Sequence, residues 1–231
     1  DQVVCTVGPW TDLVGEKLVN DWKKILRPTK GIHLTFAKDR INLSSAVVMG
    51  AQESNRIVFA IPRHEMIIIG TTDTDYKDEP QNAKADWADV EYLLEITNHY
   101  FPEAKLTKND IISSYVGVRP LVKDDSGSEG KTSREHTILK DNRGFHFVAG
   151  GKYTTYRLMS EQIVDSVLDS YPVEKRLSLA KCETTKPLNE YTSQEALKVA
   201  EAQAHTTLEN MLVHRYGLEA FEIIKKFEDA K

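Results

Sequence analysis

Apolar and polar positions change their period several times along the chain, and each change predicts an element. Val3, Val4, Cys5 and Val7 form an apolar run over residues 2–7 that predicts a short buried strand, ended by Gly8-Pro9. Trp10, Leu13, Val14 and Leu18 recur at helical spacing and predict a helix over 10–19 with these four on one face. Ile32, Leu34 and Phe36 alternate with His33 and Thr35, so 32–36 reads as a strand with the two sets on opposite faces. Three further strands, over 46–49, 56–61 and 66–69, follow at hairpin spacing and predict an antiparallel meander. A polar loop over 70–76 leaves the sheet. Asp86 then caps a helix over 87–100 with Trp87, Val90, Leu93, Leu94 and Phe101 as its stripe, and Pro102 stops it. Residues 110–116 read as a strand that runs into Gly117-Val118-Arg119-Pro120-Leu121.

A flexible loop is expected over 124–131 because Ser, Gly and charge dominate it. A strand over 134–139, a tight turn at 141–144 and a strand over 145–149 follow. The last runs through Gly150-Gly151 into an amphipathic helix with Met159, Ile163, Val164 and Val167 on its buried face. Residues 171–190 read as an irregular linker containing Pro172 and Pro187. Beyond it only helix is predicted: Thr192 and Glu195 form a capping box, and two helices, 193–209 and 218–230, are separated near Gly217. These elements predict an α+β chain with an antiparallel meander and the start of a C-terminal helical domain.

Composition narrows the picture. The chain has 231 residues, 40% hydrophobic and 28% charged, as in an ordinary globular protein with room for a core. A net charge of −5 argues against a general nucleic-acid binder. Cys5 and Cys182 form no C-x-x-C pair, so reduced thiols in a cytoplasmic compartment are expected and no metal site. No apolar run approaches the roughly 20 residues needed to span a bilayer.

Candidate chemistry concentrates at element ends. A strand turning through glycines into a helix start presents backbone N–H groups to an electron-rich ligand, and Gly150 and Gly151 let such a ligand approach. Lys152 adds a positive charge there. The Walker spacing and the G-x-G-x-x-G fingerprint are both missing, so no nucleotide site follows from this turn alone, and a plain tight turn is the alternative. Arg119, between Val118 and Pro120, and Arg134, at a strand start, are planar forks suited to a carboxylate or phosphate. Each could instead pair with an acid such as Asp124 or Glu135. His33 is a candidate base by its ordinary pKa, against the alternative of a satisfied structural histidine. Asp73 and Asp75 lack further ligands at cation-loop spacing, and turn hydrogen bonding explains them better.

The order of these segments carries more than any one. Gly8-Pro9-Trp10, Lys30-Gly31-Ile32-His33, Ile61-Pro62, the run GTTDTDY at 70–76, Gly117-Val118-Arg119-Pro120-Leu121, Ser133-Arg134-Glu135 and the run AGGKYTTYR at 149–157 succeed one another. This succession resembles the FAD-dependent, respiratory glycerol-3-phosphate dehydrogenases of the D-amino-acid-oxidase-like flavoprotein type, over nearly all of residues 1–170. The resemblance implies an α+β flavoprotein fragment: a FAD-binding remnant at 1–30 and 140–170, a substrate-binding domain at 31–139 built on a mixed, largely antiparallel sheet, a linker at 171–190 and the start of a helical domain at 191–231. It implies oxidation of sn-glycerol 3-phosphate to dihydroxyacetone phosphate, with FAD as cofactor and quinone as electron acceptor. The enzyme would be cytoplasmic, peripheral to the inner membrane, with a homodimer as one assembly. A sister oxidase using oxygen, or a non-catalytic ligand-binding module, are the alternatives.

The same resemblance gives the residues roles. Gly8, Gly150, Gly151, Lys152, Thr154 and Thr155 would contact the cofactor, the helix start near Thr154 facing the flavin pyrimidine edge. Arg119 would orient the substrate hydroxyl, Arg134 and Lys152 would hold the phosphate or developing charge, and His33 would take the hydroxyl proton. Two departures stand out. The glycine fingerprint that opens the family is missing, so the chain reads as a fragment expected not to hold FAD tightly alone. Tyr153 stands where Leu or Trp is expected, a change of packing.

Overall fold

The computed structural model of the protein describes residues 1–50, 56–123, 132–133, 135–186 and 193–229. The chain divides into two compact units, Asp1–Leu179 and Ala180–Lys231. In the first, β1 (Val3–Cys5) leads through a 3-10 turn into α1 (Thr11–Leu18), then β2 (Thr29–Ala37), β3 (Val47–Gly50), β4 (Ile57–Arg63), β5 (Met66–Gly70) and the two-residue β6 (Thr74–Asp75). Helix α2 (Trp87–Tyr100) separates these from β7 (Ser113–Arg119), β8 (Val122–Lys123), β9 (Thr132–Ser133), β10 (His136–Lys140) and β11 (Phe145–Gly150). Helices α3 (Tyr156–Leu168) and α4 (Val173–Leu177) complete the unit.

The larger sheet has six antiparallel strands in the order β3-β4-β5-β2-β6, with β7 also on β2. Strand β2 is its spine: β7 pairs along residues 29–35 of it, while β5 and then β6 share its other edge. Ile32, Leu34 and Phe36 point to one face with Val58, Ala60, Ile67 and Ile69, and Val90, Leu93 and Ile96 of α2 close over them. Burying each such side chain contributes about 1.5–3 kcal/mol, so this face sets the register of the sheet. Asp86 caps α2 in a reciprocal capping box with Asp89. The other face carries His33, Phe59, Ile61 and Tyr115 and is open among the described residues; Phe59, Ile61 and Tyr115 are all exposed.

A second sheet has three strands, β1-β11-β10, with β1 parallel and β10 antiparallel to β11. Helix α1, which packs on β11, is tied to the segment preceding β2 through the Asp12 carboxylate, which accepts hydrogen bonds from the backbone N–H groups of Ile25 and Leu26 and from the Trp22 indole. Trp22 stacks at a tilt on Phe147, 4.6 Å between ring centroids, and lies against Gly15, where any Cβ would collide with the indole. Leu26, Val122 and Ala149 form a small core of their own.

Several expectations are corrected. The first strand is shorter than 2–7 and is not buried: Val3 and Val4 are exposed and only Cys5 is covered. Trp10 and Trp87 are exposed as well, because α1 buries Thr11 and Gly15 and α2 buries Val90, Leu93, Ile96 and Thr97. In α3 the buried residue is Ser166, whose hydroxyl meets buried His146, while Val164 is exposed. The loop at 70–76 is not free of the sheet, since Thr74 and Asp75 pair with β2. The expected linker at 171–190 contains α4. The flexible loop over 124–131 and Thr192 of the expected capping box lie outside the described residues.

Among its described residues the second unit contains three α-helices where two were expected: α5 (Ser193–Gln203), α6 (Thr207–Tyr216) and α7 (Ala220–Asp229), packed around Ala200, Val213 and Ala220. The missed break is a capping box in which Thr206 accepts from the N–H of Glu209 and Glu209 answers. Among the described residues no helix is long and apolar enough to cross a membrane.

Candidate active site

The ends of β7 and β11 meet at one cleft of about 540 Å3. Arg119, the last residue of β7, lines it with Asp73 from the loop after β5, Arg56 just before β4, Phe59 within β4, and Gly151 and Lys152 from the turn after β11. A second concavity of about 450 Å3, bounded by His136, Thr155 and Leu158, lies on the other flank of Gly151 and Lys152.

Arg119 is positioned by its own chain. Its guanidinium donates to Thr71 Oγ1 at 2.8 Å and the Thr72 carbonyl at 3.2 Å, and pairs with Asp73 at 3.3 Å. The guanidinium lies across Gly31 of β2, so closely that a Cβ there would fall 2.3 Å from it. Gly31 pairs with Gly117 of β7, but only the missing side chain of Gly31 makes the shallow seat into which the arginine folds; a Cβ on Gly117 would have nothing within 4 Å. Among the described residues the acid paired with Arg119 is Asp73; Asp124 lies outside them. Pro120 follows immediately and removes a donor that could extend the ladder.

His33 lies on the same sheet face, one cross-strand pair further along β2. It stacks on Tyr115 at 4.7 Å between centroids and 9° between planes. Gly70, opposite it on β5, gives the ring room; a Cβ there would meet the imidazole at 2.3 Å. Burial, and then the nearby Arg119 charge, push its pKa below the ordinary value, so the imidazole is neutral at neutral pH. It does not line the cleft itself.

The turn after β11 depends on both glycines before any ligand is considered. Gly150 and Gly151 have φ of 75° and 86°. A Cβ on the first would fall 2.5 Å from the Glu135 carbonyl oxygen, and on the second 2.5 Å from Met159 Sδ. Lys152 is exposed, and among the described residues its ammonium has no hydrogen bond or ion pair. The Thr155 hydroxyl donates to the Lys152 carbonyl at 2.9 Å and bounds the second concavity, while Thr154 is exposed. The helix begins at Tyr156 after a 3-10 turn, and no side chain caps it. Gly8 stands apart from both concavities, with φ of 55° and nothing within 4 Å of where its Cβ would be.

The structure therefore brings Arg119, Gly151 and Lys152 together, places His33 beside them, and leaves Gly8 elsewhere; Arg134 lies outside the described residues. Sequence reasoning missed Arg56 and Phe59, for which the linear sequence holds no signal. It also missed Thr71 as a partner of Arg119, although the polar run 70–76 contained the clue.

A family model for FAD dependent oxidoreductases matches residues 1–157. The aerobic glycerol-3-phosphate dehydrogenase of Bacillus subtilis (strain 168) is 38% identical over 183 residues, covering 79% of this chain and 33% of its own length. The same enzyme from Staphylococcus saprophyticus is 32% identical over 247 residues, covering 100% of this chain and 43% of its own. The crystal structure of the glycerol-3-phosphate dehydrogenase from Bacillus halodurans complexed with FAD superposes with a TM-score of 0.73 at 30% identity, over 97% of this chain and 44% of that one. The chain thus spans between a third and a half of the length of these relatives. A match running from β1 through the turn after β11 into the first residues of α3, and so taking in the whole cleft, means that this chain belongs to the FAD dependent oxidoreductase family.

Proposed function

We propose that this protein, at a length like that of its relatives, oxidises sn-glycerol 3-phosphate to dihydroxyacetone phosphate. The observation that carries the reading is the meeting of Arg119 and the Gly151-Lys152 turn on one cleft, with a neutral histidine beside them. The reaction removes a hydride from the alcohol carbon and a proton from its hydroxyl.

FAD, when bound, supplies the hydride acceptor. The residues present fit one edge of that group. The turn at Gly150 and Gly151 leads into a helix of 13 residues with no side-chain cap, whose N-terminus favours negative charge by roughly 0.3–1 kcal/mol. The open backbone at Gly8 fits the close approach of a ligand. Within this chain, His33 accepts the hydroxyl proton. Arg119, fixed by Asp73, Thr71 and Thr72, orients the hydroxyl oxygen and stabilises charge that develops on it. Lys152 binds the phosphate.

The acceptor beyond the cofactor is proposed to be quinone, reached by peripheral attachment at the cytoplasmic face of the inner membrane. The test uses the protein at its full natural length, loaded with FAD. Glycerol-3-phosphate-dependent reduction of a soluble quinone analogue is expected. Peroxide release in its place would move the reading to an oxidase. No oxidation of glycerol 3-phosphate with either acceptor would overturn it.

A further inference from the structure

We propose that Arg56 is a specificity-determining residue that grips the substrate's phosphate, a role the motifs of the chain do not point to. The inference rests on the reading of a phosphorylated alcohol as substrate. Arg56 immediately precedes β4, whose Ile57 and Phe59 also line the cleft, and the Ile57–Gly50 pairing anchors that strand end. It lines the cleft together with Arg119 and Lys152, so the cleft carries three cations against one lining acid, Asp73. That is local positive excess on a protein of net charge −5.

The acids near Arg56 are already engaged. Asp73 is held by Arg119. Asp75 accepts two hydrogen bonds from Arg27, at 3.0 and 2.9 Å, one on each carboxylate oxygen. Among the described residues no hydrogen bond or ion pair engages the Arg56 guanidinium. Arg119 is in the opposite state, with its fork turned onto Thr71, Thr72 and Asp73. The cleft therefore separates two duties. A fixed arginine sits over the sheet where the reacting carbon can be oriented. Arg56, which feels the Asp75 charge but makes no hydrogen bond or ion pair among the described residues, and Lys152, likewise without one among them, also line the cleft, and a guanidinium matches two phosphate oxygens where a lysine offers only a point charge. Ile57 and Phe59 between them supply apolar contact for a short carbon chain.

The test uses the full-length, FAD-loaded protein and its Arg56→Gln and Arg56→Lys variants. Two readouts are taken: steady-state kinetics with glycerol 3-phosphate, and the thermal shift produced by inorganic phosphate. For Arg56→Gln, KM should rise about 10- to 100-fold with kcat changed far less, since a charge-assisted contact made in ground and transition states alike is lost. The phosphate-induced shift should shrink in parallel, and Arg56→Lys should recover part of both. An unchanged KM and an unchanged phosphate shift in Arg56→Gln would overturn the proposal. So would a fall in kcat alone. Arg56 is exposed and makes no hydrogen bond or ion pair among the described residues, so its truncation should leave folding intact, which the thermal midpoint checks. Should the wild-type protein fail to oxidise glycerol 3-phosphate, the functional reading fails, while the phosphate shift still decides whether Arg56 binds the anion.

Discussion

Replacing Gly31 by alanine adds one methyl group to a buried strand position and changes no charge. The backbone there is ordinary extended strand, paired with Gly117, so the alanine meets no conformational penalty. What it meets is Arg119: the new carbon would lie 2.3, 2.4 and 2.6 Å from the two terminal nitrogens and the central carbon of the guanidinium. Ordinary non-bonded contact is about 3.5–4.0 Å, so the guanidinium must retreat by about 1 Å or more. Its bonds to Thr71, Thr72 and Asp73, at 2.8, 3.2 and 3.3 Å, do not survive that displacement. The stability cost should be modest, about 1–2 kcal/mol, because a partly exposed arginine tip can swing into water. The catalytic cost should be larger, since misplacing an orienting group by 1 Å can cost about 100-fold. The assay is kcat/KM for glycerol 3-phosphate in the full-length Gly31→Ala protein, with the thermal midpoint as the control for folding. Gly117→Ala is the internal comparison: it sits directly across the ladder, yet its Cβ would have nothing within 4 Å. Activity should fall steeply in the first variant and remain near wild type in the second. Equal activities in the two, with both folded, would refute the view that the seat over Gly31 positions Arg119.

Two further outcomes follow from buried titratable groups. His33 and His146 both have pKa values pushed below the ordinary range, chiefly by burial. The unfolded chain therefore binds protons that the folded one does not, and stability should fall as pH drops through about 6.5 toward the lower folded values. Urea midpoints at pH 7.5 and 5.5 check this, and a midpoint that rises on acidification would contradict it. Activity should fall on the acid side as pH drops through the lowered His33 pKa, below the ordinary histidine value, because His33 must be neutral to accept a proton. Lys30 is a separate case: its ammonium bridges Asp86 at 2.5 Å and buried Asp89 at 2.6 Å, with 8% of the side chain exposed. Lys30→Met should cost about 3–5 kcal/mol by leaving the Asp89 carboxylate buried without its partner. A loss well under 1 kcal/mol in denaturant unfolding would show that Asp89 is not held this way.

Local chemistry and periodicity determined much of this protein. The alternation at 32–36 separated a core face from a face bearing His33, and the capping Asp86 and the meander through β5 follow from patterns that neighbours in sequence impose. The ordered motifs likewise announced the family and marked Arg119, Lys152 and the glycine turn as chemically important. Other features depend on atoms far apart in the chain, and only the tertiary structure decided them. Periodicity put Trp10, Trp87 and Val164 on apolar faces, but burial depends on whether another element arrives to cover them, and none does among the described residues. Gly150 and Gly151 looked reserved for a ligand, yet the Glu135 carbonyl and Met159 already require them to lack a side chain. Arg119 carried its motif in the sequence, but its state, seated over Gly31 and held by Asp73, arises from pairing β7 with β2 beside the loop after β5. Arg56 carried no motif at all. Its place in the cleft follows from β4 lying two strands away from the spine, a neighbourhood that sheet topology creates and linear order does not contain.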